Sequence, residues 1–96
     1  MDLFNKIRSR VDFNNSYTMQ KALSTLNFEF SKAMRINNII YARNILSVAK
    51  RLYDDFSTSF VEGQGKGETM SYNQKLWGNR MKYFIGYLIK ALSIAK

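Results

Sequence analysis

The chain of 96 residues has no histidine, no cysteine and no proline, and three of its five glycines fall within residues 63–67. Each absence removes a class of chemistry. Without cysteine there is no disulfide framework and no thiol nucleophile. Without histidine as well, the usual soft and borderline ligands for zinc, copper and iron are gone. Proline removes a backbone donor and clashes inside helices, so its absence leaves long segments free to be helical. Long apolar runs are missing too. The most apolar stretch, YFIGYLIKALSIA at 83–95, contains Lys90 and is too short to span a bilayer, which takes about 20 such residues. The opening MDLFNKIRSR mixes charged with apolar residues and does not read as a signal peptide. A soluble, cytoplasmic protein is the expectation.

Acids are scarce: seven against fifteen lysines and arginines, for a net charge of +8. Such an excess favours anionic partners, whether nucleic acid, nucleotide, lipid headgroup or an acidic protein face. With histidine and cysteine absent, proton transfer would fall to carboxylates, lysine or tyrosine. The carboxylates are scattered, and the adjacent Asp54 and Asp55 sit about 100° apart around a helix and cannot face one site together. No convergent set for magnesium is visible either. The expectation is therefore a non-enzymatic protein with no catalytic residue, no metal site and no cofactor.

What is present is helical periodicity. Leu3, Ile7 and Val11 repeat every four residues beside Phe4, predicting a short helix over 2–12. The run NNS at 14–16 supplies helix caps, and Met19, Leu23, Leu26, Phe30 and Ala33 form the stripe of a second helix over 16–35. At Arg35–Asn38 the phase slips, so the chain turns or kinks there, and a turn at Asn37-Asn38 is favoured. A third helix over 38–60 carries Ile39, Ala42, Leu46, Ala49, Tyr53, Phe56 and Phe60 on a 3.5-residue seam. Ile45, Val48 and Leu52 add a second apolar face, and Lys50/Asp54 and Arg51/Asp55 are spaced for surface ion pairs. SYNQ at 71–74 reads as a capping box before a last helix over 71–95, with Trp77, Met81, Phe84, Ile85, Leu88, Leu92 and Ala95 inward. No stretch alternates with period two. The fold class is all-α: one domain over 1–96, a compact bundle of three to four helices with a short N-terminal helix and a glycine-rich loop.

That loop, VEGQGKGET at 61–69, has the look of a phosphate cradle but fails the tests. A P-loop places its first glycine five residues before the one preceding lysine and a hydroxyl residue after the lysine. Here those positions are Phe60 and Gly67. A dinucleotide fingerprint would need glycine where Glu68 stands. The stretch is read as a flexible connection over 62–70, with Gly63 ending the third helix.

The last quarter is the more informative. From Thr69 to Lys96 there are five basic residues and no acid. Arg80, Tyr83, Tyr87 and Lys90 recur at helical spacing, with Lys75 and Lys82 nearby; tyrosine rings stack on bases while cations meet phosphates. Arg8, Arg10, Lys32 and Arg35 are secondary basic contacts if the helices adjoin. Aromatic and aliphatic residues also lie off the main stripes, among them Tyr17, Phe28, Tyr41, Ile45, Leu52 and Ile94. A bundle this small is expected to leave some of them on a surface for self-association or docking. The expected function is stoichiometric: a self-associating basic accessory protein binding nucleic acid or a nucleotide. The alternative is an inhibitor or immunity protein of phage or mobile-element type that docks onto another protein. The layout is similar to that of small all-helical phage proteins, in architecture alone.

Overall fold

The computed structural model describes residues 2–64 and 72–94, and side chains for 2–59 and 72–94. Four helices follow in order: α1 (Leu3–Arg8), α2 (Ser16–Arg35), α3 (Ile39–Gln64) and α4 (Tyr72–Ile94). Among the described residues there is no strand, and the fold is an all-α bundle. No helix among them is long and apolar enough to cross a membrane.

Local chemistry sets most of the boundaries. Asp2 caps α1, accepting from the Phe4 amide. The Asn15 side chain caps α2, accepting from the amides of Tyr17 and Thr18. The chain turns rather than kinks after α2, and its two asparagines divide the work. Asn37 adopts φ 60°, a left-handed conformation that asparagine tolerates better than most residues. The amides of Asn37 and Asn38 then bond back to Met34 O and Ala33 O, closing a Schellman motif. Asn38 in turn caps α3 through the Tyr41 amide at 3.1 Å.

Two boundaries differ from the periodicity. α1 stops at Arg8 instead of residue 12: the Ser9 hydroxyl bonds to Lys6 O, and the chain tightens through Arg10 N to Ile7 O. This is the competition between short polar side chains and the helical backbone. Val11 is still buried, delivered by the turn instead of by a helical stripe. α3 runs through Gly63 to Gln64, so Gly63 does not end it. The rest of the glycine stretch, Ser71 of the expected capping box, and the side chains of Phe60 and Ala95 lie outside the described residues.

α3 is the central helix, touching the other three. Tyr41, near its start, donates a hydrogen bond to Glu29 late in α2, and Phe56, near its end, packs on Trp77 early in α4. α3 is thus antiparallel to both. Trp77 meets Met19, and Tyr87 meets Phe30, so α2 and α4 run parallel. The seam expected on α3 is off-centre: Ile45, Val48 and Leu52 are buried while Leu46 and Tyr53 are only half so. Burial against three neighbours needs a wide apolar arc, which the second face supplies.

The core gathers on Trp77, which is 1% exposed. Its indole Nε1 donates to Met19 O at 2.6 Å. Phe56 meets it edge-on at 5.0 Å, and Phe13 packs at 5.5 Å from Phe56 and 6.3 Å from Trp77. Gln74, the buried polar side chain of α4, donates to Phe13 O at 2.9 Å. One turn of α4 therefore fastens the α1–α2 connection, α2 and α3 together. The expected Arg51/Asp55 pair is replaced by a longer-range arrangement. Asp55 pairs with Arg8 at 3.2 Å, and Arg51 stacks over the Phe4 ring at 4.0 Å. Phe4 attracts the guanidinium by its ring face, while Arg8 also bonds to Val11 O and covers Phe13.

Two glycines of α4 make a matched test. A Cβ on Gly78 would stand 3.0 Å from Phe56 Cε2, whereas one on Gly86 meets nothing within 4 Å. Gly86→Ala is expected to stabilise the fold by about 0.5–1 kcal/mol. Gly78→Ala should yield clearly less, or destabilise, because Phe56 must shift. Urea midpoints for the two variants give the comparison. Trp77→Ala should cost about 3–5 kcal/mol, measured by circular dichroism.

Candidate functional site

The six α4 residues singled out by the sequence are all exposed, but they do not form one site. At 100° per residue, Arg80, Tyr83, Tyr87 and Lys90 fall within an arc of about 80° on the outer side of α4. Lys75 and Lys82 lie about 100–120° from the centre of that arc. They belong to the flank facing α3, where Lys82 lines a shallow depression with Lys50, Tyr53, Asp54 and Ile85. A carboxylate already shares that flank. The signal was available in the spacing: residues 80 and 82 are 200° apart on a helix.

The outer stripe has structure of its own. Tyr83 is 81% exposed and makes a free-standing ring. Tyr87 is 56% exposed and makes a T-shaped contact with Phe30 at 6.0 Å, which anchors the ring while leaving much of it open to solvent. Tyr72 and Ile94 extend the same line toward the two ends of α4, both exposed. Beside it, α2 presents Gln20, Ser24, Asn27 and Ser31, an exposed or half-exposed row at three- and four-residue spacing. This polar row was readable from the sequence but carried no chemistry until α4 was placed against it. Among the described residues, the combined α2/α4 face holds no carboxylate. Glu29 points to the other side, toward Tyr41; Asp55 is paired with Arg8; Asp54 is on the α3 flank.

The secondary basic residues scatter. Arg8 is occupied by Asp55, Val11 O and the Phe13 ring, and acts as a structural tie between α1 and α3. Arg10 lines a groove between α1 and α2. Lys32 and Arg35 are exposed in the last turn of α2, where positive charge complements the helix dipole. By helical rotation Arg35 stands nearly in line with Phe28, about 140° from Phe30, and Lys32 lies further toward the groove. Of the apolar surplus, Ile45 and Leu52 are fully buried and Tyr41 is half-buried, whereas Tyr17, Phe28, Tyr83, Tyr87 and Ile94 are exposed.

Among the described residues no three carboxylates gather to hold a metal ion, and no buried side-chain polar atom lacks a partner. Tyr41 is a titratable group whose surroundings shift its pKa. Burial, then the hydrogen bond to Glu29 and its negative charge, hold the phenol above its ordinary value. Comparisons with protein-family models, curated proteins and solved structures find no match for this chain.

The Tyr41 shift has a defined pH consequence. The unfolded chain ionises this phenol first, near pH 10, so the stability it contributes is complete below that pH. The contribution falls as pH rises through the raised folded value. Tyr41→Phe should flatten the alkaline loss of stability above pH about 10, seen in urea midpoints measured across that range.

Proposed function

We propose that this chain is a non-enzymatic, basic binding protein that holds a single-stranded nucleic acid along the α2/α4 face. The observation that carries it is the row of Arg80, Tyr83, Tyr87 and Lys90 on a surface without a carboxylate among the described residues. The tyrosines offer π-faces to bases whatever their sequence, while Arg80 and Lys90 neutralise phosphates. The amides and hydroxyls of Asn27, Ser24 and Ser31 supply further contacts to phosphate or sugar oxygens. From Arg80 to Lys90 the stripe extends for about 15 Å. An open stripe of that length suits a strand of several nucleotides better than one mononucleotide.

A protein-docking role, as a self-associating protein or an inhibitor of another protein, is the second reading. Ile36, Ile40 and Ile94 favour it, all strongly exposed at the end of the bundle where α2 and α4 finish and α3 begins. Contiguous exposed apolar surface marks an interaction site.

The two readings part on salt. A fluorescein-labelled oligothymidylate should bind with an affinity that falls steeply with salt, as counterions are released. The double variant Arg80→Glu/Lys90→Glu should weaken binding and flatten the salt slope by roughly 1.4, the release expected for two phosphates of a single strand. Tyr83→Ala and Tyr87→Ala should each cost about 1–3 kcal/mol of binding. Lys82→Glu, on the α3 flank, should change little. Anisotropy titrations report all four. A loss from Lys82→Glu half as large, in free energy, as that of the double variant would show net charge at work and remove the assigned face.

A further inference from the structure

A groove of about 300 Å³ opens between α1 and α2, on the side of α2 away from the proposed nucleic-acid face. It exists because α1 ends at Arg8. The chain turns after the 6 residues of α1, and Ala22, Thr25 and Phe28 line an opening.

The groove has an apolar interior and a cationic edge. Ile7, Val11 and Ala22 form its floor, and Phe28, 62% exposed, stands as a wall. Lys6, Arg10 and Lys21 surround it, and among the described residues none of the three belongs to an ion pair. The other polar groups are already used: Thr18 Oγ1 donates to the backbone of Asp12 and Asn15, and Thr25 Oγ1 to Lys21 O. Glu29, the acid among the lining residues, accepts the Tyr41 hydroxyl at 2.8 Å, which turns it toward α3 while it keeps its charge, so three cations stand against one carboxylate. What the groove leaves unsatisfied is apolar surface within and positive charge at the rim.

We infer that this groove binds a small amphipathic anion: an aliphatic or aromatic body lying on Ile7, Val11, Ala22 and Phe28, with one carboxylate or phosphate head among Lys6, Arg10 and Lys21. Small-molecule sites are typically concave, mostly apolar, and oriented by a few polar groups, with volumes from about 300 Å³ upward. The volume here is at that lower end, which fits a free single-chain molecule. The site is independent of the proposed α2/α4 face, since it uses the opposite flank of α2 and a different set of cations.

The probe is 8-anilinonaphthalene-1-sulfonate, an anion with an apolar fluorescent body, displaced by decanoate. One dye should bind per chain, and decanoate should displace it. Decanol, with the same body and no charge, should be at least about ten-fold weaker, the scale of a charge-assisted contact. Lys6→Glu/Arg10→Glu/Lys21→Glu should weaken decanoate by at least about ten-fold. Lys50→Glu/Lys75→Glu/Lys82→Glu, equal in net charge but placed on the α3/α4 flank, should not. Phe28→Ala, an exposed substitution that leaves the core intact, should weaken both dye and decanoate. Helicity by circular dichroism accompanies each variant. Equal displacement by decanol, equal losses in the two triple variants, or several dye molecules per chain would overturn the inference. So would sedimentation with phosphatidylglycerol vesicles without displacement by decanoate, which would assign the cations to a membrane surface.

Discussion

The fold depends on one buried donor. Trp77 brings an indole N–H into a place where water cannot reach it, and the Met19 carbonyl at 2.6 Å accepts it. An unmatched indole donor there would cost more than the bond itself contributes, so α2 and α4 are held in one register. That register is parallel, and from it follows the pairing of Phe30 with Tyr87 ten residues further along α4. Phe56 and Phe13 close around the same ring, and Gly78 leaves the space for Phe56 to do so. Gln74, one turn earlier, ties the α1–α2 connection to the same point.

The function proposed for the α2/α4 face rests on this register. A parallel α2 and α4 place the amide and hydroxyl row from Gln20 to Ser31 beside the tyrosine and cation row from Arg80 to Lys90. Were α4 rotated about its axis by half a turn, Lys82 would turn toward the polar row, and the stripe from Arg80 to Lys90 would turn toward the α3 flank where Asp54 stands. The core thus decides which of the fifteen basic residues act together. The positive excess alone says only that the protein attracts anions.

Much of the architecture was legible because it is periodic. The helix over 16–35, its cap at Asn15 and the turn at Asn37-Asn38 follow from apolar spacing and from the properties of asparagine. What was hidden is what depends on distant partners. Phe13 belongs to no stripe, and its burial follows from Phe56 and Trp77, more than forty residues away. Arg8 reads as a free cation until Asp55 is beside it. The end of α1 turns on the Ser9 and Arg10 hydrogen bonds, which periodicity does not see, and with it the groove between α1 and α2 was invisible. The candidate site was half-legible. Arg80, Tyr83, Tyr87 and Lys90 keep company, while Lys75 and Lys82 are carried to another flank by the rotation of a helix.

On the proposed reading, an anionic strand lies along the α2/α4 face. This is tested most directly by titrating the ¹⁵N-labelled protein with an unlabelled oligothymidylate and mapping amide and side-chain shift changes. Changes should concentrate at Ser24, Asn27, Ser31, Arg80, Tyr83, Tyr87 and Lys90, with Lys50, Asp54 and Lys82 quiet. Changes centred on the α3 flank, or spread evenly over every lysine and arginine, would contradict it.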